Sequence, residues 1–106
     1  MHVPLSRPDI TDAEIDAVNE VLHTPILALG PRTAAFEETV AQLTGRRYGI
    51  AVNSGTSGLH LLVRAHCIEE GDEVITTPFS FIASSNCLLY ERARPVFVDI
   101  EPETGN

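Results

Sequence analysis

The sequence predicts an α/β fold, with two N-terminal helices followed by a βαβαβ unit of a mostly parallel sheet. Three observations carry this. The run 48-YGIAVN-53 reads as a strand, stops at 54-SGTSG-58, and gives way to Leu59, Leu62, Val63 and His66 at the three-and-four spacing of a helix. Two further short runs, 73-EVITT-77 and 95-PVFVDI-100, are rich in β-branched residues and bounded by turn residues. A weaker helical segment, 79-FSFIASSNCLLYE-91, lies between them with Ile82, Leu88 and Leu89 as its apolar positions. Strands therefore alternate with helices, the pattern of a parallel sheet covered by helices.

Taken in order, residues 1–9 carry two prolines and no period, and read as an extended arm. Thr11 opens the first helix: Thr11 with Glu14 fits a capping box, and Ile10 with Ile15 fits a hydrophobic staple. Ile15, Val18, Val21 and Leu22 share a face, and the Thr24–Pro25 pair predicts an end near His23. The stretch 24-TPILALGP-31 is an apolar loop without charge, which predicts cover from the domain itself or from a partner chain. Pro31 suits the first position of a second helix, Phe36, Val40 and Leu43 give its period, and Gly45 stops it. Arg46 and Arg47 follow as cations favoured at a helix C-terminus. Gly71–Asp72 forms a turn before the 73–77 strand.

At 106 residues and 43% apolar content, the chain is one small domain or a piece of a larger one, with enough apolar residues for a core. The formal charge of -8 argues against nucleic acid and anionic membranes as partners. No signal peptide and no membrane-spanning run is read at the sequence level, so the expectation is a soluble cytoplasmic protein. Cys67 and Cys87 each fall in a predicted helix, without a C-x-x-C or a His cluster of metal-ligand spacing. They read as reduced, partly buried thiols, a disulfide being the alternative, and no metal site is expected. All seven basic residues are arginine, and the chain has no lysine.

The turn 54-SGTSG-58 is the chemically loaded element. Strand, small-residue turn and helix present free backbone N–H groups at the positive end of a helix dipole, a place that favours an anion, most often a phosphate. Gly55 and Gly58 permit tight turning and close ligand approach, and Ser54, Thr56 and Ser57 add hydroxyls. No charged side chain lies between Tyr48 and His60, so dipoles would do the holding. The turn lacks the lysine of a Walker A loop and does not match G-x-G-x-x-G. Simple helix capping by the serine hydroxyls fits equally well at this level. Ligands of parallel sheets bind at the carboxyl ends of the strands, which here carry 53–57, 77–81 and Asp99.

Several stretches together carry a resemblance. The TxxE helix start, 29-LGPRTAAFEETVAQLTG-45, 51-AVNSGTSGLHLL-62, 71-GDEVITTPFSFIASSN-86 and 95-PVFVDIEPETGN-106 resemble, in order and spacing, the DegT/DnrJ/EryC1/StrS sugar aminotransferases. These are pyridoxal-phosphate enzymes of the type I aspartate-aminotransferase fold. The resemblance spans essentially the whole chain. It implies the N-terminal part of the large, cofactor-binding domain of a longer protein: 1–47 as the arm and first helices, 48–106 as the first βαβαβ part. It implies pyridoxal 5'-phosphate as cofactor, held by Gly55, Thr56 and Ser57, with Phe81 stacking on its pyridine ring. Without the resemblance, Phe81 reads as a core residue. Leu29 and Gly30 match a loop on the substrate and dimer side, and Asp99 matches a common Asp whose place also fits a loop cap.

The implied parent function is transfer of an amino group from an amino acid, glutamate being the expected donor, to a nucleotide-linked keto sugar, in a cytoplasmic homodimer. Such chemistry needs a lysine for the Schiff base. This chain has none and stops before the motif that carries the acidic partner of the cofactor ring. The reading taken is therefore the N-terminal portion of such an enzyme. The alternatives are a non-catalytic truncated remnant that pairs with a full-length subunit, and a dehydratase of the same family that uses the amine form of the cofactor.

Overall fold

The computed structural model describes residues 3–105. The elements are α1 (Asp12–Leu22), α2 (Pro31–Thr44), α3 (Gly55–Ala65), β1 (Glu73–Thr76), α4 (Ala83–Leu89) and β2 (Arg94–Phe97). The contacts divide them into two compact units, Met1–Ala51 and Val52–Asn106.

In the first unit both helices start and stop where their sequence signals put them. Thr11 is extended (φ -109, ψ 178), and its hydroxyl accepts from the Ala13 N–H at 3.3 Å while Glu14 Oε2 accepts from the Thr11 N–H at 2.6 Å. That reciprocal box satisfies donors that an α-helix leaves open at its N-terminus. The Thr11 hydroxyl also donates to Glu14, and these bonds hold the Glu14 carboxyl below its ordinary range. Pro31 opens α2, and Gly45 closes it in the left-handed conformation (φ 64), which a residue without Cβ adopts at no cost.

The run 48–53 is not a strand. A strand exists by pairing, and among the described residues none lies beside it. Its backbone is held by α2 instead: the Ala51 N–H donates to Glu37 Oε1 at 2.8 Å. Gly49 lies so close to the same helix that a Cβ there would sit 2.4 Å from the Glu37 carbonyl oxygen. The expected three strands are thus two among the described residues, while the α/β architecture stands. The face formed by Ile15, Val18 and Leu22 is exposed, as are Phe36 and Leu43, and among the described residues of this unit Ala41 is the buried one. The 24–31 loop, expected to be covered, has no cover in its own unit: Ile26, Leu27 and Leu29 are exposed.

In the second unit β1 and β2 pair in parallel, Glu73 opposite Arg94 and Thr76 opposite Phe97. The ladder is extended by Arg94 N–H to the Asp72 carbonyl at 2.8 Å and Val98 N–H to the Thr76 carbonyl at 3.0 Å. A parallel pair needs a crossover, and α4 supplies it, packed on both strands and on α3. Val63, Cys87, Leu88 and Ala93 form the buried cluster, with Ile68 and Val74 against it.

Two expectations in this unit are corrected. The helix over 79–91 is confined to 83–89, because Pro78 and hydroxyl bonds of the lead-in, such as Thr77 Oγ1 accepting from the Phe79 N–H at 3.2 Å, compete with helical bonding. Cys67 is not helical but lies just past α3, exposed and left-handed (φ 56), where its N–H and that of Ile68 bond back to Arg64 and Val63. Cys67 and Cys87 are both free thiols. No helix is long and apolar enough to cross a membrane among the described residues.

Candidate functional site

The turn before α3 divides its chemistry between two tasks. Ser54 is extended (φ -160, ψ 158), and its hydroxyl accepts from the Ser57 N–H at 3.1 Å. The Ser57 hydroxyl donates to Asn53 Oδ1 at 2.6 Å and lies 3.0 Å from that of Ser54. Those groups cap and stiffen the turn. The N–H groups of Gly55 and Thr56 and the Thr56 hydroxyl have no hydrogen-bond partner among the described residues. They sit at the positive end of α3, where an acceptor with negative charge is favoured. Capping is thus carried by Ser54 and Ser57, and the donors of Gly55 and Thr56 stay free of it. Ser57 belongs to the first group in this state.

Gly55 and Thr56, which carry the free donors, line one hollow. It holds about 510 Å³ and is lined by Gly55, Thr56, Gly58, Leu59, Leu62, Phe81 and Ala83. A Cβ placed on Gly55 would meet nothing within 4 Å, so the space beside Gly55 is open. Phe81 is 77% exposed and also borders a second hollow with Thr77, Ser80, Ser84 and Phe97. Within this chain it is not buried. Leu59 and Leu62, at the helical spacing read in the sequence, lie in α3, are 37% and 58% exposed and line the hollow. Hydrogen-bond donors at one end and an exposed aromatic ring beside aliphatic side chains suit a phosphate ester with a flat, apolar body.

The other candidates are elsewhere. Leu29 and Gly30 belong to the first unit. Leu29 is exposed with φ 53, a conformation costly for a side-chain-bearing residue, and Gly30 is the N-cap of α2. A Cβ on Gly30 would lie 3.1 Å from the Ile26 side chain, and Gly30 borders a hollow with Val21, Thr24, Ile26 and Leu27. Asp99 is exposed past the end of β2. One cluster escaped the sequence reading altogether: His60 Nε2 is 2.5 Å from Glu91 Oε1, across 31 positions of chain. Its only sequence signal is an interior histidine on the side of α3 that carries Thr56 and Val63.

The sequence profile of the DegT/DnrJ/EryC1/StrS aminotransferase family matches residues 8–106. This chain belongs to that family. It is 44% identical over 104 residues to an uncharacterized protein of Methanocaldococcus jannaschii, covering 98% of this chain and 27% of the relative. It is 41% identical over 103 residues to EpsN of Bacillus subtilis, named as a pyridoxal phosphate-dependent aminotransferase, covering 96% of this chain and 26% of that one. Among solved structures it resembles a protein described as a sugar aminotransferase of Streptococcus pneumoniae. The TM-score is 0.91 at 35% identity, for the PLP form and for the PMP form alike, over 98% of this chain and 26% of that one. The aminotransferase fold is thereby shared, and the chain spans about a quarter of the length of these relatives. Pyridoxal phosphate is supported as the family's cofactor.

Proposed function

We propose that this chain contributes the phosphate cup and one wall of the cofactor hollow of a pyridoxal-phosphate sugar aminotransferase. The whole enzyme, in this reading, moves an amino group from an amino acid, glutamate by preference, to a nucleotide-linked keto sugar, and works as a cytoplasmic homodimer. The observation that carries the reading is the convergence of the free Gly55 and Thr56 donors and the Phe81 ring on one hollow. The family membership and the fit of these residues to a phosphorylated aromatic support it.

When bound, the cofactor supplies an electron sink for carbanion chemistry. This chain's residues hold and orient it. Gly55 and Thr56 would donate backbone N–H groups, and Thr56 its hydroxyl, to phosphate oxygens; charge-assisted bonds of this kind are the strong ones. Ser57, fixed by Ser54 and Asn53, keeps the turn in shape. Phe81 would lie against the ring, with Leu59 and Leu62 keeping water from the adjoining surface. No residue here can hold the substrate proton as a lysine does, because the chain has none. That step belongs to residues of the whole enzyme.

The test is binding of pyridoxal phosphate and of pyridoxal by the 106-residue chain, followed by fluorescence, with Thr56→Ala alongside. The phosphate ester binds better than pyridoxal, and Thr56→Ala loses about tenfold, for a hydroxyl bond to a charged group contributes about 1.5 kcal/mol or more. Borohydride reduction labels no internal residue. Equal binding of both compounds, or unchanged affinity in Thr56→Ala, removes the cup from the reading. A reducible internal adduct overturns the account of the missing lysine.

A further inference from the structure

The hollow has one wall on α3 and the other on the lead-in and first turn of α4, so its shape depends on how these two helices are placed along each other. Between them lies the buried cluster of Val63 with Cys87 and Leu88. Apolar packing holds surfaces together but is non-directional, and by itself sets the slide and rotation of one helix on another loosely. A directional contact is present further along. His60 Nε2 meets Glu91 Oε1 at 2.5 Å, Arg64 Nη1 lies 3.7 Å from the same oxygen, and the Tyr90 ring stands edge-on to the imidazole at 5.1 Å. The side chains of His60 and Glu91 are 32% and 21% exposed, whereas Arg92–Glu70 is 79% and 74% exposed. A shielded pair holds its geometry and escapes most screening, where a solvated one does not.

The placement of the pair matters more than its strength. His60 is one helical turn beyond Thr56 on the same side of α3. Glu91 follows directly on Tyr90, the C-cap of α4, the helix whose head carries Ala83 and, just before it, Phe81. The contact therefore ties the element that carries the free donors to the element that carries the ring. We infer that His60 and Glu91 are a positioning pair that sets the spacing between the phosphate cup and Phe81. The inference rests on the reading of the hollow as a cofactor site. Neither residue lines the hollow, so neither touches the ligand.

The experiment compares His60→Leu, His60→Gln and Glu91→Gln in the full chain, well below their melting temperatures. It has two readouts: affinity for pyridoxal phosphate, and the backbone amide resonances of Gly55, Thr56 and Ala83 without ligand. His60→Leu weakens affinity by about fivefold or more, the lower end of coupling between linked sites. It also shifts the three amide resonances. His60→Gln, which keeps an N–H within reach of Glu91, restores both, and adding Glu91→Gln to His60→Leu costs little more. A pair that only stabilises the fold would lower the melting temperature and leave affinity and amides alone; that result overturns the proposal. If the parent chain fails to bind pyridoxal phosphate while the amides follow the pair, the cofactor reading falls and the coupling stands. If His60→Leu does not fold, Glu91→Gln decides by the same two readouts.

Discussion

Gly49→Ala is the most demanding test of how the segment leading to the 54–58 turn is held. The added Cβ would lie 2.4 Å from the Glu37 carbonyl oxygen, 3.2 Å from its carbon and 3.3 Å from its Cα, and contacts below 3.0 Å are essentially never adopted. The oxygen cannot retreat, because it belongs to the backbone of α2. The 48–51 run must lift instead, by at least about 0.6 Å, the gap between 2.4 and 3.0 Å. That movement strains the Ala51 N–H bond to Glu37 Oε1, now 2.8 Å. Overpacking costs about 1–3 kcal/mol, and a bond to a carboxylate contributes about 1.5–3 kcal/mol. The two overlap, since lifting the run relieves one by losing the other, so the net loss is about 2–3 kcal/mol. For a chain of this size that is a drop of roughly 10 °C in Tm. The assay is a thermal melt of Gly49→Ala, Glu37→Gln and the double variant. Because both act on one contact, the double variant falls short of the sum. A Gly49→Ala melt within about 2 °C of the parent would refute the reasoning, and strict additivity would refute the shared contact.

Phe81→Leu should leave the fold intact, the side chain being exposed, and weaken pyridoxal phosphate binding by about 0.5–1.5 kcal/mol, whereas Phe81→Tyr should retain it; equal affinity of the two variants would leave no stacking role. Leu29→Gly relieves about 1–2 kcal/mol of left-handed strain against about 0.5–1 kcal/mol of added chain entropy, and Leu29 is 93% exposed, so a melt should show slight stabilisation. The Glu14 carboxyl is held below its ordinary 4.5, first by the Thr11 hydroxyl and then by backbone N–H groups. Its contribution to α1 is therefore complete above pH 4.5 and is lost as pH falls through the lower folded value. Helicity of α1, followed by carbon chemical shifts, should decline only below that point, and Thr11→Ala should move the decline upward.

Local signals were legible where local bonding decides. The capping box at Thr11–Glu14, Pro31 at the head of α2 and Gly45 at its end sit as the residues dictate. The α/β alternation, the two paired strands and the family were also readable, because each is carried by short runs of residues in order. The 48–53 run failed because strand composition does not guarantee a partner, and the Glu37 carboxylate and backbone took that place. The helical spacing of Leu59, Leu62 and Val63 held in α3, but periodicity gives a face and not what covers it: Leu59 and Leu62 are exposed. Within the cup, the sequence offered three hydroxyls without ranking them. Only geometry assigns those of Ser54 and Ser57 to the turn itself and leaves the Thr56 hydroxyl free. The His60–Glu91 contact was invisible because nothing local predicts a meeting across 31 positions.

A cradle made of peptide dipoles has a kinetic signature of its own. The donors of Gly55 and Thr56 act over a few ångströms, while the chain as a whole carries a formal charge of -8. If the turn holds a phosphate as proposed, the charge of these 106 residues repels it at long range and the donors attract it only on arrival. Added salt shortens the reach of the repulsion, to about 10 Å at 0.1 M, and barely touches the short bonds. Association should accelerate with ionic strength while release stays constant, the reverse of a site built on lysine and arginine.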